Sequence, residues 1–218
     1  MRTVLAVLVV AAITAVGGAT DAAAAKRHKC PARQGHTLAR TAHARVWYLG
    51  DPQAGADYYG CLKSKGRVRK LASTSDCFHT CDEIAAPFRL KGRFVAWNHE
   101  SSFSYGGGAP STFEQDVEVF DLRSGRRVLT TQVYYTETGG ADPARTSGAP
   151  LAGLLVDPHG TVAILSGAAP NFTLGRMRIG ETEPTELDKG AIDPQSLRLD
   201  GELLSWTNAG QAKSASLR

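Results

Sequence analysis

Two ten-residue stretches, far apart in the chain, carry the same pattern of side chains, and this repetition constrains the fold more than any other feature. Phe88-Arg-Leu-Lys-Gly-Arg-Phe-Val-Ala-Trp97 lies over Leu197-Arg-Leu-Asp-Gly-Glu-Leu-Leu-Ser-Trp206 position for position: apolar, Arg, Leu, polar, Gly, charged, two apolar, small, Trp. A glycine between two short apolar runs predicts a strand, a tight turn and a returning strand. Valine, leucine, phenylalanine and tryptophan around it suit a pleated, half-buried surface. Leu155-Val-Asp-Pro-His-Gly-Thr-Val-Ala-Ile-Leu165 is the same figure with a longer turn, and Val46 marks a weaker first copy. Antiparallel β-meander repeats and an all-β fold are expected. The matching tryptophans are expected to pack between units rather than to stack on a ligand.

The fullest copy runs from Gly92 to Thr131. It opens Gly92-Arg-Phe-Val-Ala-Trp97 and closes Asp116-Val-Glu-Val-Phe-Asp-Leu-Arg-Ser-Gly-Arg-Arg-Val-Leu-Thr-Thr131, with Ser124-Gly125 reversing the chain. Between them, Asn98 to Gln115 is predicted to be a loop, because Ser101-Ser-Phe-Ser-Tyr-Gly-Gly-Gly-Ala-Pro-Ser111 is rich in serine and glycine. Loops of this length are usually disordered or functional. His99, Phe103 and Tyr105 make it the candidate binding loop, set against the plainer reading of a flexible excursion on a sheet rim. Gly139 to Pro150 reads as a second loop. An earlier unit spans Thr37 to Leu71, with strands at Arg45–Leu49, Tyr58–Leu62 and Arg67–Leu71. Later strands are expected at Leu151–Val156, Thr161–Leu165, Leu174–Ile179 and Pro184–Leu187, and a fourth unit comprises Ser196–Trp206, a turn at Asn208-Ala-Gly210, and Ala212 to Leu217.

From Val46 to Phe94 is 48 residues, to Val162 another 68, and to Leu203 another 41. Apart from the long-looped middle interval, these approach the roughly 40–50 residues of a propeller blade. The figure in Asp157-Pro-His-Gly-Thr-Val-Ala-Ile164 and Val117-Glu-Val-Phe-Asp-Leu-Arg-Ser-Gly125 resembles the TolB-type, or WD-like, β-propeller repeat over about residues 38–218. The resemblance implies a small, about four-bladed or incomplete β-propeller-like structure, since only about four units are present. It also implies a role in protein contacts, which repeats of that kind mostly mediate.

Residues 1–25 read as a signal peptide: Arg2, an apolar run from Val4 to Val16, and a small-residue cleavage site at Ala23-Ala24-Ala25. The apolar run is short for a bilayer span, and no transmembrane segment is expected after cleavage. Its removal takes away one arginine and one aspartate, so 193 residues remain with the same formal charge of +4. A basic arm, residues 26–37, then leads into the repeat domain, residues 38–218. The charge is modest and accompanies no groove-tracking module, so no nucleic-acid partner is expected. Cys30, Cys61, Cys77 and Cys81 form an even set in an exported chain, which favours disulfides and allows three pairings. Cys30–Cys61 with Cys77–Cys81 is preferred. A zinc site at Cys77, His79 and Cys81 lacks a second ligand pair, and no metal is expected.

The motifs of common chemistry are missing. His99-Glu100-Ser-Ser-Phe103 begins a zinc-protease figure but has Phe103 where the second histidine belongs. No Gly-x-Ser-x-Gly elbow occurs, and Gly106-Gly-Gly108 runs into Ala-Pro rather than Lys-Ser/Thr. His159 reads as a turn residue. Asp116 and Glu118 alternate onto one strand face and are expected to be a solvated polar face, with Val117 and Val119 pointing into the core. No catalytic residue and no cofactor is therefore expected. The expected function is that of an exported, non-enzymatic module binding a protein or cell-envelope partner. The alternative is an extracellular hydrolase or lyase acting on a polymer through carboxylates such as Glu100, Asp116 and Glu118 at one rim.

Overall fold

The computed structural model describes residues 30–31, 35–52, 54–74, 80–104, 110–139 and 145–218, with the backbone alone for 80–82. Among them the strands form four antiparallel sheets. The first holds β1 (His36–Arg40), β2 (Ala44–Asp51), β3 (Gly55–Leu62) and β4 (Val68–Ser73). The second holds β5 (Thr80–Lys91), β6 (Phe94–Ser104), β7 (Ser111–Asp121), β8 (Arg126–Thr138) and β9 (Arg145–Gly148). The third holds β10 (Leu151–Val156), β11 (Val162–Ala168), β12 (Asn171–Met177) and β13 (Thr185–Gly190). A single 3-10 turn, Pro194–Ser196, precedes the fourth: β14 (Arg198–Asp200), β15 (Leu203–Asn208) and β16 (Gln211–Ser216). Within every sheet the spatial order follows the chain order, so each sheet is a plain meander.

The core lies between consecutive sheets. Val46, Tyr58 and Leu71 of the first sheet pack against Val95, Trp97 and Phe120 of the second. Phe94, Ala96, Val117 and Val119 on the second sheet's other face meet Val156, Val162 and Ile164 of the third. Ala163, Leu165 and Leu174 then meet Leu204, Trp206 and Leu217 of the fourth. Successive residues on β6, β7 and β11 therefore enter different cores, and Phe94–Trp97 of β6 and Val162–Leu165 of β11 are continuously apolar because both faces are covered there. Among the described residues no core cluster joins the first sheet to the fourth, so the fold is an all-β, incomplete propeller-like arc.

The repeat is real in its turns. Lys91 pairs with Phe94 and Asp200 with Leu203, leaving two-residue loops that both begin with a glycine at φ +59. Glycine at the first loop position with positive φ is the type II′ hairpin requirement, and its twist matches that of the strands it joins. Trp97 and Trp206 point in the same sense, each toward the preceding sheet. The third copy departs from the expected superposition. Val156 pairs with Val162 across a five-residue turn, in which the Asp157 carboxylate accepts the backbone N–H of His159 (2.7 Å) and Thr161 (2.9 Å). Val162 therefore faces the preceding sheet, whereas its counterparts Val46 and Phe94 face the following one. A shift of one residue exchanges the two faces of a strand.

Both predicted loops contain strand among their described residues. β6 continues to Ser104 and β7 begins at Ser111, with Glu100 opposite Gln115 and Phe103 opposite Thr112. β9 occupies Arg145–Gly148 inside the second predicted loop and pairs with β8. The serines and glycines suggested loop, but Thr112, Phe113, Tyr134 and Tyr135 supply β-branched and aromatic cross-strand neighbours that carry the ladder onward.

The first sheet's outer face is closed by the arm. Cys30 and Cys61 form a disulfide, as preferred from the sequence. The Arg45 guanidinium donates to the Pro31 carbonyl and to Thr37 Oγ1 (3.0 and 2.8 Å), and lies 5.0 Å over the Trp47 ring. Cys77 and Tyr105 lie outside the described residues, as does the whole of 1–25; of Cys81 only the backbone, on β5, is described. Among the described residues no helix is long and apolar enough to cross a membrane.

Candidate functional site

A groove of about 440 Å³ lies between the first and second sheets. His99 of β6 and Glu118 of β7 line it, and Trp97 and Asp116 share their face of the sheet, because His99 stands opposite Asp116 and Trp97 opposite Glu118 in the ladder. Leu71, Ala72 and Ser73 of β4 form the facing wall, with Ile84 of β5 beside them. The expectation of a solvated polar face is overturned here: Glu118 is only 4% exposed. Its Oε2 accepts the Trp97 indole N–H at 3.1 Å, and the Arg127 guanidinium binds its Oε1. Burial is tolerable because the charge is paired and both oxygens are hydrogen-bonded. The strand is covered on both faces, so neither set of alternating residues is free to be the wet one.

Asp116, one pair along, is less provided for. Burial pushes its carboxyl above the ordinary carboxylate range; His99 opposite it pulls the other way, and Glu114 and Glu118 push it up further.

Glu100 is on the opposite face. Its Oε1 accepts from Asn98 Nδ2 (2.7 Å) and Gln115 Nε2 (2.8 Å), and the Gln115 Oε1 in turn accepts the backbone N–H of Leu151 at the start of the third sheet (3.1 Å). Glu100 thus helps clamp the second sheet to the third. The three carboxylates named from the sequence are not gathered in one cleft. Two share a face of the sheet, one of those two is committed to Trp97 and Arg127, and the third is across the sheet.

Beyond His99 and Asp116 the second sheet runs on past its core-facing stretches, since β6 and β7 are 11 residues each and β8 is 13. Phe103 sits in this far half as a half-buried strand residue between Thr80 and Thr112 rather than at a loop tip. The sequence reading passed over Phe113, Tyr134 and Tyr135, which are half-buried in the same region. Phe113 and Tyr134 meet edge to face with ring centroids 6.1 Å apart, and the Tyr135 hydroxyl donates to Glu137 at 3.3 Å. Alternation of aromatic with Thr and Glu from Thr112 to Glu114 and from Tyr134 to Glu137 was the available signal. Among the described residues no group of three or more His, Cys, Asp or Glu side chains is placed to hold a metal.

No family model and no curated protein matches this sequence. Among solved structures the chain is similar to a prolyl endopeptidase, at 12% identity and a TM-score of 0.34, over 79% of this chain and 32% of that one. The chain thus spans about a third of that protein's length.

Proposed function

We propose that this chain is an exported, non-enzymatic binding module that holds a protein or cell-envelope partner on the far half of its second sheet. The observation carrying this reading is that Phe103, Phe113, Tyr134 and Tyr135 are half-buried there among serines, threonines and glutamates, on strands that outrun the core. Aromatic side chains offer large, rigid contact area, and hydroxyls supply adaptable hydrogen bonds. The Cys30–Cys61 disulfide and the signal-peptide pattern of residues 1–25 support export. The TolB-type resemblance of the repeat supports a role in protein contacts. The test is recovery of a partner from the envelope fraction by the mature chain and by the variants Phe103→Ala and Tyr135→Ala. A partner retained by wild type and lost from both variants is expected. Equal retention by all three overturns the reading.

A second reading rests on the half-buried Asp116 beside His99, an acid–base pair of the kind a polymer-cleaving enzyme would use. It predicts cleavage of an extracellular polymer by wild type and loss of that cleavage in Asp116→Asn.

A further inference from the structure

We infer that the cavity between the inner strands of the second, third and fourth sheets is a binding site for a small amphipathic carboxylate. The cavity has a volume of about 380 Å³ and is walled by Pro87 of β5, Leu154 and Leu155 of β10, and Leu197 after the 3-10 turn. Arg89 and Arg198 line the same space.

What distinguishes these two guanidiniums is how they are held. Ala86, Pro87 and Phe88 stand opposite the single residue Trp97, and this bulge brings Arg89 onto the side of β5 that meets β10. Its Nε donates to the Leu154 carbonyl at 2.8 Å and its Nη1 to the Phe88 carbonyl at 3.3 Å. Arg198 Nη1 donates to the carbonyls of Gln195 (2.6 Å) and Leu197 (2.7 Å). Among the described residues neither guanidinium has a carboxylate partner. Carbonyl dipoles fix the orientation of both groups without neutralising their charge. Nη2 of each, and Nε of Arg198, make no hydrogen bond within the described residues. Both arginines are solvent-exposed, so water screens their charges, but each presents uncompensated charge to the same partly apolar cavity and would attract an anion there.

The class of anion follows from the walls. A carboxylate accepts parallel N–H bonds from a guanidinium fork, and four apolar side chains then require an apolar body attached to it. Inorganic phosphate meets the charge but not the walls. The volume suits a ligand of small-molecule size.

Calorimetric titration of the mature protein tests this with three probes: N-acetyl-dileucine as the free acid, its C-terminal amide, and inorganic phosphate. Saturable one-to-one binding of the acid is expected, with weaker binding of phosphate and none of the amide. Arg89→Gln and Arg198→Gln should each weaken the acid by about tenfold or more, the worth of a hydrogen bond to a charged group. Arg89 also ties β5 to β10, so if Arg89→Gln fails to fold, Arg198→Gln at the exposed start of β14 decides. Failure of the acid to bind, equal binding of acid and amide, phosphate binding tighter than the acid, or wild-type affinity in Arg198→Gln overturns the proposal.

Discussion

At the scale of single residues, the two repeat tryptophans share one solution to one problem. A buried indole must find an acceptor for its N–H. Trp97 donates to Glu118 and Trp206 to Asp188 Oδ2 at 2.6 Å, and both rings are almost wholly buried. Trp97→Ala and Trp206→Ala should each cost about 3–5 kcal/mol in urea denaturation. The carboxylates behave oppositely. Burial alone would raise the Asp188 carboxyl, but hydrogen bonds from Lys213, Trp206, Asn208 and the Lys189 backbone outweigh it and hold it at about 2. A carboxyl lowered on folding contributes stability that is present above its unfolded value and lost as pH falls through the folded one. The urea midpoint of wild type should therefore fall between about pH 4 and pH 2, and Asp188→Asn should lose that dependence. Asp116 is raised on folding, so its ionisation costs stability as pH rises. Asp116→Asn should be more stable than wild type at neutral pH and no more stable in acid, where the wild-type carboxyl is already protonated.

At the scale of elements, glycine acts in two ways that one measurement separates. Gly201 sits at φ +59 with open space where a Cβ would go, so Gly201→Ala meets backbone strain alone, about 1–2 kcal/mol. Gly60 has no positive φ; its role is close approach of the first and second sheets, for a Cβ there would stand 2.3 Å from Leu122 Cδ2. Gly60→Ala should cost about 1–3 kcal/mol by overpacking. Pairing Gly60→Ala with Leu122→Ala should recover part of that loss, whereas Leu122→Ala should do nothing for Gly201→Ala. Urea midpoints of the four variants check this.

At the scale of the molecule, an open arc must deal with two terminal faces that a closed ring would bury. The first sheet covers its own with the arm, through Cys30–Cys61 and the Arg45 hydrogen bonds, over a nearly buried Trp47. The fourth sheet's outer face carries Ser205 and Thr207 on β15 and Ala212, Ser214 and Ser216 on β16, small or polar residues suited to water, together with one exposed leucine, Leu203. Terminal units of repeat proteins need such faces to stay soluble. Cys30→Ser/Cys61→Ser should lose about 2–4 kcal/mol. It should also associate in size-exclusion chromatography as the Trp47 face is uncovered; a monomer of unchanged stability would contradict the capping role.

The hairpins were legible because a turn is a local event: Gly92, Gly201, Gly125 and Gly210 all take the positive φ that glycine permits. So was the burial of Trp97 and Trp206, since period-two patterning marks what each strand must cover. Which sheet covers which face was not legible. Asp116 and Glu118 look like a wet stripe until the first sheet is packed on them, and a turn three residues longer before Val162 exchanges two cores without altering the apolar pattern. Asn98 to Gln115 was read as loop because of its serines and glycines, and pairing with the neighbouring strands makes 98–104 and 111–115 strand. Arg89 and Arg198 stood out in the sequence only as matching positions of the repeat. That they share a cavity is decided by the bulge in β5 and by the docking of the fourth sheet on the third, both of them contacts between residues remote in the chain.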